Sequence, residues 1–253
     1  PVLIEIDAEL RRTGVLPLAK ELIEIGAIVH AADALQLRGV LAFGGIGYEQ
    51  TSLQGIADAA ERVRKCAVTA AERLRAANLP CDIVSVGATP TRLTAASLEG
   101  VTEIRPGVYV FMDHMQQTLG VCEYDDIAVT VLATVIGWKE TEQRVYIDAG
   151  ALALSKDQGM TRPGKPHAAY GLVRRPDSPL PFEDIGVTAV NQEHGYVSRV
   201  HGETPFPFDA FTLDSRVRII PNHVCHTVAC YDRYYVIDAE GYVVDEWDRD
   251  IGW

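Results

Sequence analysis

At 253 residues, 47% of them hydrophobic and 23% charged, the chain has the composition of ordinary globular protein, enough for one large domain or two modest ones. Its net charge of -12 argues against nucleic acid and anionic membrane surfaces as partners, because both need clustered Lys and Arg to displace counterions. No apolar run approaches the roughly 20 residues that cross a bilayer. The five irregularly spaced cysteines (Cys66, Cys81, Cys122, Cys225, Cys230) read as free thiols in a reducing compartment, so a soluble, cytoplasmic protein is expected.

In chain order, the first half alternates short apolar strands with amphipathic helices, the pattern of a parallel sheet with helical crossovers. The chain opens inside a strand, Val2–Ile6, on Pro1 and with no initiating Met, and is expected to continue a longer polypeptide. A helix with Pro17 in its first turn runs to about His30. A strand at Leu37–Phe43 follows. Ile56, Ala60, Val63, Ala67, Ala70 and Leu74 recur at helical spacing and predict a helix from about Ser52 to Ala77. Strands at Asp82–Val86 and Val101–Arg105 complete this half. After Met115, β-branched runs dominate, and they predict strands at Ile127–Ile136, Arg144–Ile147, Arg216–Ile220, Thr227–Tyr231 and Tyr234–Ile237. The change of rhythm near 116 to 126 divides the chain into an α/β domain over 1–117 and a mainly β domain over 118–253. Within the latter, the Gly- and Pro-rich stretch Lys156 to Pro181 is an excursion with little periodicity.

Three segments carry chemistry. In Pro221-Asn222-His223-Val224-Cys225-His226, a strand would put His223 and Cys225 on one face, where both could bind a soft or borderline metal, and would turn His226 away. The alternative is a strand-end His beside a buried free Cys. In Ile83 to Thr91, a buried strand runs into a turn in which Gly87, Thr89 and Thr91 offer N–H and hydroxyl groups to a phosphate; a capped turn before a helix would look the same. A second such turn follows at Arg105-Pro106-Gly107-Val108-Tyr109, where Gly107 permits close backbone approach and Tyr109 could donate its phenol.

Taken in order, these pieces resemble the D-threonine aldolase and D-serine dehydratase branch of the alanine-racemase-type enzymes, which use pyridoxal 5'-phosphate (PLP fold type III). The segments that carry the likeness are Glu5-Ile6-Asp7 leading to Arg12-Thr13-Gly14-Val15, Gly87 to Thr91, and Glu103 through Pro106-Gly107 to Phe111. Beyond these come Ile147 to Gly150 with Ser155-Lys156-Asp157, then Glu193-His194-Gly195, and Pro221 to Cys225.

The resemblance implies a β/α TIM-type barrel, here partial, followed by a mainly β domain. It implies that Gly87, Thr89, Thr91, Gly107 and Tyr109 hold the cofactor phosphate and that Arg12 faces the cofactor ring nitrogen or the substrate carboxylate. Arg12 is otherwise a surface residue. Glu193 and His194 would stand near the metal or substrate, or else form a satisfied pair. His223 and Cys225 would hold Zn2+, or Mn2+ or Co2+, and a homodimer is implied.

Two departures from the family pattern bear on activity. The family's Schiff-base lysine lies upstream of the Glu-Ile-Asp strand, and none of Lys20, Lys65, Lys139, Lys156 and Lys165 has its context, so an N-terminally truncated member is expected. Leu41 to Tyr48 lacks the His expected there in the aldolase branch. That absence and the thiolate of Cys225 favour a lyase that dehydrates D-serine or another 3-hydroxy-D-amino acid to a 2-oxo acid and ammonia. The alternatives are retro-aldol cleavage to glycine and an aldehyde, as in a D-threonine aldolase, or a non-catalytic PLP- and zinc-binding relic.

Overall fold

The structure, a computed structural model, describes residues 1–10, 12–159, 170–202 and 204–251. Lys165 and residues 160–169 of the Gly- and Pro-rich excursion lie outside them. Two compact units divide the chain: one comprises Pro1–Tyr109 with Leu119–Val121, the other Val110–Thr118 with Cys122–Trp253.

In the first unit, four strands, β1 (Val2–Ile6), β2 (Leu37–Phe43), β3 (Ile83–Gly87) and β4 (Glu103–Arg105), pair in parallel and in chain order. Sequential parallel neighbours joined by helices form an arc of the β/α-barrel kind. The crossovers carry α1 (Glu21–Ala31), α2 (Leu53–Ala76) and α3 (Thr89–Thr94). α1 starts at Glu21, four residues after Pro17. α2 begins where the side chain of Ser52 accepts from the Gly55 N–H at 3.1 Å, which satisfies one of the free donors of its first turn. Ala59, Ala60, Ala67, Ala70 and Ala71 form much of its buried stripe. Their small size lets α2 lie close on Val40 and Val84 of the sheet, with Ile56, Val63 and Leu74 filling the larger gaps.

In the second unit, the strands are β5 (Val131–Lys139), β6 (Arg144–Ile147), β7 (Leu172–Arg174), β8 (Pro181–Val190), β9 (Gly195–Arg199) and β10 (Arg216–Ile220). They close in the order β10-β5-β6-β9-β8-β7, antiparallel throughout. The closed barrel therefore has six strands and stands in the β-rich half, whereas the described α/β half is an open sheet. Alternation explains the closure: Val131, Ala133, Val135, Val145, Ile147, Val173, Val197, Val217 and Ile219 all reach one core, and full pairing leaves no exposed edge.

Around this barrel lie three short helices, α4 (His114–Leu119), α5 (Ala151–Leu154) and α6 (Val224–Val228), and a hairpin of β11 (Arg233–Ile237) and β12 (Val243–Asp248). The strand expected at Thr227–Tyr231 is absent; α6 and a turn occupy it. Local β-propensity is overridden there by capping from Asp113, described below.

Candidate functional site

The first group of residues lies at the C-terminal ends of the parallel strands, where α/β sheets place their ligands. After β1 the chain loops through 7–15 and returns, the Asp7 N–H donating to the Val15 carbonyl at 3.0 Å and the Val15 N–H to Glu5 at 2.9 Å. Arg12 sits on this loop, exposed, with its guanidinium carbon 4.5 Å from the ring centroid of Phe43 at the end of β2. The cation–π contact with Phe43 orients it, and Glu5, Asp7 and Glu9 line the same shallow depression.

β3 leads to Gly87 and Ala88 (φ 133), then directly into α3, in which Thr89 and Thr91 are buried. The Thr91 hydroxyl donates to the Ala88 carbonyl at 3.2 Å and closes the turn. The Thr89 hydroxyl accepts from the Tyr109 N–H at 3.2 Å, so the two turns that the sequence offers as phosphate cradles are one structure. At Gly107 a Cβ would meet nothing within 4 Å, so the backbone there is open to a ligand, and the first N–H groups of α3 have no partner within the helix. These residues fit a phosphate group. Tyr109 is exposed. Beneath the turns, Arg105 donates to Ser85 Oγ and to the Ala42 carbonyl, and Ser85 donates to Glu103.

The second group is in the β-rich unit. β10 ends in Pro221-Asn222-His223, and His223 is the N-cap of α6 in extended conformation. The first N–H groups of α4 hold this segment, His114 donating to the Pro221 carbonyl at 3.0 Å and Met115 to that of Asn222 at 3.1 Å. The Asp113 carboxylate caps two helices at once. Its Oδ1 accepts from the Gln116 N–H at 2.9 Å and its Oδ2 from the Val224 N–H at 3.0 Å. Burial pushes Asp113 up to about 6 even against these donors. α6 is further tied to α5 by Thr227 Oγ1 and Tyr231 OH, which donate to the carbonyls of Leu154 and Ala153.

Because α6 is a helix, His223 and His226 share a face, with ring centroids 4.4 Å apart. They meet Asp157, whose Oδ2 is buried, has no hydrogen-bond partner among the described residues, and lies 3.8 Å from Nδ1 of His223 and 3.9 Å from Nδ1 of His226. Asn222 Nδ2 donates to the Asp157 carbonyl at 2.9 Å and fixes the loop that carries it. One donor atom from each of Asp157, His223 and His226 falls within 4.8 Å of the others, and the orphaned carboxylate oxygen facing two imidazoles fits a divalent cation. Burial, helped by His226 and opposed by Asp157, holds His223 below its usual value.

The strand geometry that would pair His223 with Cys225 and turn His226 away is therefore replaced by a helical one. Cys225 lies in the first turn of α6 outside the three-residue cluster, and burial, with the charge of Asp113 adding, pushes its thiol up. Asp157 was legible only as part of a motif; no local spacing reveals that it meets residues 66 and 69 positions away.

Glu193 and His194 occupy the exposed turn between β8 and β9 and are not members of the cluster. The turn is fixed by Gly150: a Cβ there would lie 2.5 Å from the Gln192 carbonyl oxygen and 2.5 Å from the His194 nitrogen. The Ala151 N–H donates to the Asn191 carbonyl at 2.8 Å.

Comparison with known proteins gives two family matches, "Alanine racemase, N-terminal domain" over residues 1–115 and "Putative serine dehydratase domain" over 128–237. The D-threo-3-hydroxyaspartate dehydratase of Delftia sp. is 42% identical over 257 residues, covering 100% of this chain and 66% of that protein. The D-serine dehydratase of Dictyostelium discoideum is 29% identical over 261 residues, covering 100% of this chain and 64% of that one. The solved structure of the Delftia sp. HT23 dehydratase matches with a TM-score of 0.91 at 41% identity, over 98% of this chain and 65% of the other. The chain thus spans about two thirds or less of the length of the curated relatives it matches. No described helix is long and apolar enough to cross a membrane. With the two matched regions in this order and the relatives aligned along the whole chain, the chain belongs to the D-threonine aldolase and D-serine dehydratase family of alanine-racemase-type, PLP-dependent enzymes.

Proposed function

We propose that the complete protein is a PLP- and metal-dependent lyase that dehydrates a 3-hydroxy-D-amino acid, D-threo-3-hydroxyaspartate or D-serine, to a 2-oxo acid and ammonia. The observation that carries this reading is the likeness along the entire chain, at 42% identity, to a D-threo-3-hydroxyaspartate dehydratase. The cluster of Asp157, His223 and His226 supports it independently, because it is the kind of donor set that an aid to a leaving hydroxide requires.

In this reading Gly87, Thr89, Thr91, Gly107 and Tyr109 bind the cofactor phosphate. The Thr89–Tyr109 hydrogen bond keeps the two turns in register, and the N-terminal end of α3 adds its positive dipole. Arg12, held against Phe43, orients the cofactor ring or the substrate carboxylate. When bound, PLP supplies the electron sink for negative charge at the substrate Cα. A divalent cation, zinc if the Cys225 thiolate joins His223 as a ligand, supplies Lewis acidity for the leaving hydroxide. Asp157 and His226 complete or orient the ligand set, while Glu193 and His194 contact the substrate from their hairpin turn. The five free cysteines fit a cytoplasmic protein, and the active form is a homodimer.

The test is incubation of the complete protein, loaded with PLP and zinc, with D-serine, D-threonine and D-threo-3-hydroxyaspartate, assaying ammonia and glycine together. Ammonia with a 2-oxo acid is expected. Glycine with an aldehyde would make the protein an aldolase, and neither product would leave a non-catalytic binding protein.

A further inference from the structure

We propose that the outer face of the six-stranded barrel carries a second ligand site, in which Arg174 and Arg218 bind a small oxyanion, a carboxylate or phosphate group. The sequence alternation places the pair. Val173, Val217 and Ile219 enter the barrel core, so their neighbours Arg174 and Arg218 stand on the outer face. β7 and β10 pair antiparallel with Arg218 directly opposite Arg174, the position at which like charges destabilise a sheet.

Nothing among the described residues relieves this juxtaposition. Neither arginine forms an ion pair with a described carboxylate, and the Nε of each is buried without a hydrogen-bond partner. The charge of Asp125 reaches Arg174 without making a bridge to it, and Arg218 makes a single long contact, from Nη1 to Thr130 Oγ1 at 3.4 Å. Burial lowers the pKa of both groups, and the charge of Arg218 lowers that of Arg174 further, yet a guanidinium stays protonated in a protein. The charge cannot be shed as it is by a buried lysine, so it must be compensated.

Covering apolar surface does not account for the arrangement. An arginine stem can lie over Leu172 and Ile220 on this face while its head reaches water, but that leaves unexplained why the Nε of each arginine is buried with no partner among the described residues. Two guanidinium groups on facing strand positions, one of them in contact with the Thr130 hydroxyl, supply the kind of N–H donors that recognise carboxylate and phosphate oxygens in bidentate fashion. The site lies wholly within the β-rich unit and does not depend on the proposed activity.

The experiment follows thermal unfolding of the complete protein with inorganic phosphate, with succinate, and with chloride at matched ionic strength, for wild type, Arg218→Gln and Arg174→Gln. A saturable rise in Tm with phosphate, succinate or both, absent with chloride and weakened at least about tenfold in apparent affinity in each variant, is expected. Phosphate alone would identify a tetrahedral anion and succinate alone a carboxylate, either supporting the site. An equal rise in wild type and variants, or an equal effect of chloride, would reveal only a general salt response and overturn the proposal. Should a variant fail to fold, the arginine Nε–H resonances of the wild type decide: two that shift and saturate with the anion support the site, and none doing so overturns it.

Discussion

The carboxylate of Asp113 accepts a hydrogen bond from the backbone of Val224 at 3.0 Å, although 111 residues separate them. Its other oxygen caps α4, so one buried side chain sets the start of both α4 and the helix that carries Cys225 and His226. Asp113→Asn keeps the shape but leaves one of the two N–H groups facing an amide NH2. A loss of about 2 kcal/mol, measured by urea unfolding, is expected.

The same residue gives a pH signature. The folded protein holds the Asp113 proton more tightly than the unfolded chain, with a pKa of about 6 against 3.8, so this group's contribution to stability is greatest in acid and falls as pH rises from about 4 to 6. A difference of that size between the folded and unfolded chain corresponds to about 3 kcal/mol. The difference in unfolding free energy between wild type and Asp113→Asn should therefore move against the wild type over that interval. A difference that stays flat from pH 4 to 7 would show that Asp113 titrates normally.

The candidate metal ligands can be sorted by pH as well. Burial lowers the pKa of His223, so protonation competes with metal only below the usual histidine range. The Cys225 thiol is raised above 9.0, and a metal that binds it must displace its proton. If Cys225 is a ligand, zinc affinity climbs by about tenfold per pH unit from 7 to 9, and Cys225→Ser removes the slope. If the set is Asp157, His223 and His226, affinity is level over that range and His226→Asn is the damaging change. His223→Ala should weaken binding by at least about tenfold in both cases. Competition with a chromophoric chelator measures all of these.

How much of this was legible depended on how local the causes are. Val2–Ile6, Leu37–Phe43, Arg144–Ile147 and Arg216–Ile220 have the bounds that their apolar patterns predict, because alternation against one core acts residue by residue. β8 and β9 carry no such pattern, since Glu183, Asp184, Gly186 and Ser198 interrupt the apolar run and only closure of the barrel rewards their pairing. At the site, Gly87, Thr89, Gly107 and Tyr109 were readable as two separate turns. Their union through one hydrogen bond was not, because it spans twenty residues and two strands. The helix at Val224 was hidden for the same reason: its cap is remote, and Val224, Thr227 and Val228 favour a strand when read alone.

Gly150 tests whether the placement of Glu193 and His194 matters. Its φ of -102° suits any residue, so Gly150→Ala introduces no backbone strain, only a methyl group 2.5 Å from the hairpin backbone. The hairpin turn must move, at a cost of about 1–3 kcal/mol in stability. Turnover by the complete enzyme should fall with KM rising, while zinc content stays unchanged because Asp157, His223 and His226 are not part of the turn. Unaltered kinetics in a destabilised variant would remove Glu193 and His194 from the substrate's surroundings.

The proposed phosphate cradle offers the cleanest separation of binding from folding. Gly107→Ala adds a methyl group with no neighbouring atom of the described residues within 4 Å, so stability should change by less than about 1 kcal/mol. The same methyl group occupies the space that a phosphate would use, and PLP affinity, followed by the quenching of tryptophan fluorescence in the complete protein, should fall about tenfold or more. Thr89→Val works the other way. It deletes the acceptor for the Tyr109 N–H and costs about 1 kcal/mol of stability, and it loosens the second turn as well as removing a hydroxyl from the cradle. If Gly107→Ala binds PLP as the wild type does while Thr89→Val does not, the phosphate rests on the turn before α3 alone, and the Gly107–Tyr109 turn supports it only through Thr89.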